Sequence, residues 1–523
     1  MLVVLLVCAA AAAAALLHLL RRIVLPPPNF PQNIPTIPFY YALIPLLRDC
    51  DQEQLYRRYL EAPLAAHGAV NLFFGGRWNV LVQRPAYMLD VFRREDVYAK
   101  AGNQVKIPHA VLAQYTGDNI ISAHGANWRL YASVVKPGLQ QDFARNAAPL
   151  WRNAQKVLAL MLAEDDAVLV PSLLQRYTLA NLSECLLDAP FGTLDSPSAP
   201  LHALQSALKP LIFDPVFLNF PVLDFLPLPS RQNARKLARQ FHAELADTLR
   251  HAHAGHSHAT LAPDSSLGCR LLAAREAGKL TETQFTHNCV SVFLAGHENP
   301  QLLLTSAMFL LAEHPAYQRL LRAQVRACMA ECGVGVGDVS GEGEAQENVQ
   351  GKGGDAAAAR LAHLTTRLAA LPLLTASIYE TLRLYPPISQ LINRRTTCTT
   401  ALGGPASGIL IPAGTYVGYH AYSTGRDTSA WGTDASSFRP ERWGSTADAV
   451  AAMYRRVSAS GAFTAFHGGR RACLGQRFAL LQARVSLAVW LAGAEWCLDE
   501  GWERQMTAAG PLYPRALRVR VRR

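Results

Sequence analysis

The chain has 523 residues, half of them apolar and 17% charged, with a net charge of +11. That balance allows a large buried core and excludes a wholly disordered chain. The positive charge reads first as an ordinary basic surface, then as a face for anionic headgroups or an acidic protein; no nucleic-acid module accompanies it, which excludes that partner.

Residues Met1 to Leu20 are apolar except His18, and about 20 apolar residues let a helix span a bilayer. No basic segment precedes the run, whereas Arg21 and Arg22 follow it, the reverse of a cleavable signal peptide. The positive-inside rule then predicts a transmembrane anchor over 1–20, with the remainder in the cytosol. Prolines at 26, 27, 28, 31, 35 and 38 cannot continue a helix, which predicts a stiff strap over 21–40. Residues 41–523 read as one large domain. The ten cysteines contain no CxxC pair, a pattern of reduced thiols rather than a disulfide framework.

Within 69–84, two apolar runs around Gly75-Gly76 predict a β-hairpin. From 86 to 330 the periodicity is mainly helical. Two stretches read as disordered surface insertions, 251–266 with its four histidines and 333–359, rich in Gly, Glu and Ala. An apolar helix is predicted over 281–313 and ends at His314-Pro315. Ala295-Gly296-His297-Glu298-Asn299-Pro300 stands in its middle, where proline promotes a kink. Short strands are predicted near 390–418, and the alternation over 517–522 reads as an edge strand.

One segment carries the chemistry: Phe466-His467-Gly468-Gly469-Arg470-Arg471-Ala472-Cys473-Leu474-Gly475. The two glycines permit a tight loop that a flat ligand can approach. Arg471 is suited to a carboxylate. Cys473 precedes a long apolar helix, whose N-terminus favours a thiolate, the form that ligates metal.

The pattern FxxGxRxCxG, matched at Phe466, Gly469, Arg471, Cys473 and Gly475, resembles the heme-binding segment of the cytochrome P-450 superfamily. Glu380-Thr-Leu-Arg383 resembles that family's ExxR pair, with Arg442 in Phe438-Arg439-Pro440-Glu441-Arg442 as the third member of a structural lock. Ala295 to Asn299 resembles its oxygen-activating groove, (A/G)Gx(D/E)T. The resemblance implies the P-450 fold, mainly α with a small β region behind an N-terminal anchor. It implies heme b, with Cys473 as axial ligand of the iron. It assigns Gly296, Glu298 and Asn299 to proton and water handling, and Trp128, Arg394 and Arg471 to heme propionates. Where the family has a second arginine after Trp128, this chain has Ala132, and Arg129 and Lys136 stay open as replacements. It further implies an endoplasmic reticulum location and electrons from NADPH–cytochrome P-450 reductase, with cytochrome b5 open as a second donor. A basic face at Arg470, Arg471 and Arg477 suits such a donor.

Asn299 departs from the family's threonine; an amide holds water but relays protons poorly. Glu298 and waters held by Asn299 would then deliver protons, or the chemistry would depend less on hydroxylation. With this departure, Asn33 to Tyr40, Gly76 to Val82 and Tyr115 to Ser122 resemble the fungal P-450 enzymes that join N-formyl-tyrosine into dityrosine for the spore wall. Three rivals remain: a general hydroxylase of lipids or xenobiotics, a reductase-independent heme-thiolate isomerase or dehydratase, and a non-catalytic heme sensor.

Overall fold

The computed structural model describes residues 2–144, 147–255, 261–262, 264–335, 352–508 and 510–523. The N-terminal apolar run forms helix α1 (Leu2–Val24), whose 23 residues extend about 35 Å. Its leucines and valines at 4–7, 17 and 20 lie exposed, away from any core. Among the described residues no single helix is long and apolar enough to cross a membrane; Val4–Ala15 is a shorter apolar stretch.

Helix α1 runs on past Arg21 and Arg22 to Val24, so the extended strap begins just before the prolines and not at residue 21. The strap is also pinned to the domain. Phe30, Ile34 and Ile37 are buried, because residues between the prolines find an apolar face on the hairpin. Asn71 Nδ2 donates to Pro31 O at 2.9 Å, and the Trp78 indole N–H donates to Ile23 O at 3.0 Å.

The hairpin joins β1 (Ala69–Phe74) to β2 (Arg77–Val82) in antiparallel register. Its turn needs positive φ at both central residues, which Gly75 (63°) and Gly76 (77°) supply. Strands β3 (Tyr98–Lys100), β5 (Gln390–Thr396) and β8 (Tyr416–His420) complete a sheet of order β1-β2-β8-β5-β3. The β3–β5 register sets Lys100 opposite Arg394. Residues 400–401 (β6) and 410–411 (β7) pair as a short hairpin. A three-stranded sheet holds β4 (Val168–Leu169), β9 (Glu495–Leu498) and β10 (Arg518–Arg522), with β10 in the middle. The predicted edge strand is therefore interior: its alternation reports one buried face, which a central strand shows equally.

Helices dominate the rest. Helix α2 (Gly125–Leu139) carries Trp128; α3 (Val170–Leu182), α4 (Pro200–Ile212) and α5 (Pro229–Ala252) precede the central helix α6 (Glu282–Glu313). Helix α6 begins with a capping box in which Thr281 and Gln284 satisfy each other's backbone N–H. It continues through Pro300, whose missing N–H leaves the Gly296 carbonyl without its helical donor. Helices α7 (Pro372–Leu384) and α8 (Gln476–Gly493) pack against it. The expected disorder over 333–359 is corrected at its end. Residues 352–359 open a helix, Lys352–Ala369, consistent with the helix preference of the alanines at 356–359. Residues 336–351, and 256–260 and 263 of the histidine-bearing stretch, lie outside the described residues.

Candidate active site

The loop before α8 is shaped by two close approaches. Gly469 takes φ +64°, and a Cβ there would stand 2.5 Å from Phe92 O. Gly468 is extended at φ −161°, so of the two glycines only Gly469 needs left-handed freedom. The Cys473 amide donates to Phe466 O at 2.9 Å, closing the loop. The Cys473 sulfur faces a cavity, accessible from it. Burial pushes its thiol up, and the Gly475 and Gln476 amides, donating to sulfur, pull it down without cancelling the rise. The helix terminus alone thus does not ionise the thiol. A bound cation does, since coordination deprotonates a thiol outright. A Cβ at Gly475 would meet no other atom within 4 Å, so the space beside the sulfur is open.

The cavity holds about 230 Å³ and is lined by Ser291, Ala295, Gly296 and Asn299 of α6 and by Cys473. Its polar corner is cationic. Lys100 lines the cavity, and burial, then Arg394 and Arg471, hold its ammonium well below the usual lysine range. Arg394 is 1% exposed, and its Nε and Nη2 have no partner. Burial, then Arg471, lower it to about 10. Like charges set directly opposite on paired strands repel, and two orphaned N–H groups beside a lysine call for an anion. A flat ligand with carboxylates at one edge and a metal over Cys473 fits this donor set.

Arg471 differs from expectation. Its guanidinium already pairs with Glu95 at 2.7 Å and donates to the carbonyls of Ile120, Ile121 and Ala123. It also lies 4.7 Å over the Trp128 ring. It lines the cavity as Lys100 does, whereas Arg394, with its two orphaned N–H groups, is not on that wall. Ala132 is half-buried against the core, and Arg129 and Lys136 are exposed and absent from the cavity wall.

The α6 residues divide by helical phase. Ala295 and Asn299 share the cavity face, and Asn299 Nδ2 donates to Ala295 O at 3.2 Å. Gly296 also lines the cavity, yet a Cβ there would meet Leu182 at 2.6 Å; this glycine is needed for the close approach of α3. Glu298, expected beside Asn299, lies about 100° further round the helix and off the cavity wall. It pairs with Lys209 Nζ of α4 at 3.0 Å. His297 is fully buried, and burial lowers its imidazole to about 4 despite Glu298 nearby.

The structural lock is assembled. Arg383 grips Glu380 with two N–H groups at 2.8 and 2.7 Å, and Arg442 Nε adds a contact at 2.9 Å. Two further donors had no sequence signal: Trp443 Nε1 and the Arg439 amide, both at 2.9 Å. Lys100, Glu95 and Lys209 were likewise missed, since each acquires its role through pairing with distant chain. The alternation of β3 alone could have placed Lys100 on one face.

A family model described as Cytochrome P-450 matches residues 31–332 and 345–511. Cytochrome P-450-DIT2 of Saccharomyces cerevisiae is 40% identical over 505 residues, covering 94% of this chain and 93% of its own. Cytochrome P-450 monooxygenase xanG of Aspergillus fumigatus is 37% identical over 486 residues, covering 91% and 84%.

Proposed function

Because this chain belongs to the cytochrome P-450 family, we propose that it is a membrane-anchored member that couples phenols of the N-formyl-tyrosine kind into a dityrosine. The family's heme b, when bound, supplies one-electron and oxygen chemistry at its iron. Cys473 is the residue that holds the iron, and Lys100 and Arg394 are those that receive the propionates. The observation that carries the coupling reading is Asn299. A carboxamide already donating to Ala295 O stands where a proton-relaying hydroxyl is usual, and a phenol can lose a hydrogen atom without that relay. Similarity to DIT2 over nearly the whole chain supports the reading. Helix α1 is the proposed anchor in the endoplasmic reticulum membrane, with its apolar side chains exposed. A flavin reductase is the proposed electron donor, docking near Arg470, Arg471 and Arg477.

The test is turnover by reconstituted enzyme with NADPH and a P-450 reductase. N-formyl-tyrosine should give a coupled dimer in excess of any hydroxylated product by mass spectrometry. Preferred hydroxylation of dodecanoic acid would point to the general hydroxylase instead, and peroxide-dependent activity without donor to the isomerase class.

The propionate assignment has a separate readout. Lys100→Met with Arg394→Met should fold, because each loses a repelling neighbour, but should release heme to apomyoglobin at least about 10-fold faster. Unchanged heme retention would remove both residues from this role.

A further inference from the structure

His467 stands in the loop before α8 at a position that the pattern FxxGxRxCxG leaves open. Its backbone takes φ +61°, a left-handed conformation that a residue with a Cβ adopts at a cost and that recurs at functional sites. The imidazole sits beside the rings of Phe92 and Tyr419, with centroids 6.0 and 5.4 Å away. It lines the cavity together with Lys100. Burial, then Lys100, Arg394 and Arg471, lower it to about 3. The ring is therefore neutral near neutral pH, an uncharged group among three cations.

Which nitrogen carries the proton follows from Tyr419 of β8. Its hydroxyl is hydrogen-bonded to His467 Nε2. Tyr419 is 1% exposed, and among the described residues its hydroxyl has no other partner. Were Nε2 the donor, the phenol hydrogen would be buried with no acceptor, a condition that is rare. Tyr419 therefore donates to Nε2, and the neutral ring carries its hydrogen on Nδ1. Among the described residues no protein group accepts from Nδ1. The nitrogen is not sealed in either, since the half-buried His467 opens onto the cavity. Lys100, on the same wall, faces Arg394 across the paired strands β3 and β5. A fourth cation here would add repulsion, whereas a neutral N–H adds a hydrogen bond without it. His467 also shares its loop with Cys473, so a ligand held by the sulfur and by a carboxylate is gripped from both ends of one segment.

We propose that His467 is a further heme-holding residue, its Nδ1–H donating to a propionate that Lys100 neutralises. This inference rests on the propionate assignment of Lys100 and Arg394, and adds a neutral donor to it. The same contact accounts for the left-handed backbone: it is kept because it aims Nδ1. Tyr419 is a positioning residue, which fixes the tautomer without touching the ligand.

Two variants of the heme-loaded enzyme separate the donor from its surroundings. His467→Gly takes the left-handed backbone without strain and loses the ring. His467→Leu/Tyr419→Phe keeps apolar bulk beside Phe92, offers no donor and strands no hydroxyl. Freshly loaded, both should keep the red-shifted carbon monoxide band, because Cys473 is unchanged. Both should release heme to apomyoglobin at least about 10-fold faster than wild type. Both should also shift the propionate bending mode in resonance Raman spectra. With heme dimethyl ester, whose esters carry no charge, most of the gap in release rate should close. Faster release from His467→Gly alone would assign the effect to packing and overturn the proposal. Wild-type release from both variants, an unmoved propionate mode, or an undiminished gap with the ester would overturn it equally. Lys100→Met with Arg394→Met tells this failure from that of the underlying assignment. If that pair sheds heme faster and the His467 variants do not, only the His467 role falls; if none does, both fall.

Discussion

Cys473→Ser should abolish the strongly red-shifted Soret band that reduced wild-type protein gives with carbon monoxide, and turnover should fall to background. The sulfur faces the cavity, with two backbone amides donating to it. Serine keeps the size and those amides but offers an oxygen that does not ionise at neutral pH and pushes far less electron density onto iron. The cationic corner of Lys100 and Arg394 is untouched, so the variant should still take up heme. Folding should also persist, because Cys473 contributes its backbone amide to the loop, at 2.9 Å from Phe466 O, and serine retains it. A heme-containing Cys473→Ser protein that kept the band would show that another group ligates the iron.

Glu380→Ala should prevent accumulation of folded, heme-loaded enzyme. Glu380 is 0% exposed and accepts five hydrogen bonds: two from Arg383 and one each from Arg442, Trp443 and the Arg439 amide. Removing one partner of a buried ion pair costs about 3–5 kcal/mol, because the remaining charge is left in a medium that cannot solvate it. Here two guanidiniums are stranded together, and their mutual repulsion adds to the loss. Against a total stability of about 5–15 kcal/mol for an ordinary domain, that loss is a large fraction of what holds α7 to the segment before α8. Arg383→Lys should be nearly as damaging, since an ammonium cannot make the two-pronged contact. Thermal melting and heme content of purified protein are the measurements. A melting temperature within a few degrees of wild type for Glu380→Ala would mean the lock contributes little.

How much was legible depended on whether contacts are local. The Cys473 loop is ten consecutive residues, and Glu380 with Arg383 is one helical turn, so both can be read along the chain. Trp443 and the Arg439 amide reach Glu380 from the segment that the resemblance assigns to the lock through Arg442, but an indole and a backbone amide carry no pattern that marks them as donors. Lys100 acquires its place only when β3 pairs with β5. The pairing of Glu298 with Lys209 was not legible for a different reason: the resemblance speaks for the groove, and Lys209 belongs to another helix. Gly296 was read as chemistry because the contact that requires it, Leu182, belongs to another helix. That the strap lies on the hairpin was not legible, because proline content predicts stiffness and says nothing about what a stiff segment lies on.

The central place of β10 has a consequence for synthesis. Its partner β4 leaves the ribosome about 350 residues earlier, and at about 5–20 residues per second that separates them by roughly 20–70 s. Throughout that interval the β4 end of α3 has no strand to pair with, and β9 is made only about 20 residues before its end. A cell producing this enzyme must therefore shelter an open edge for most of translation, and chaperone supply at that stage bears on how much intact protein it obtains.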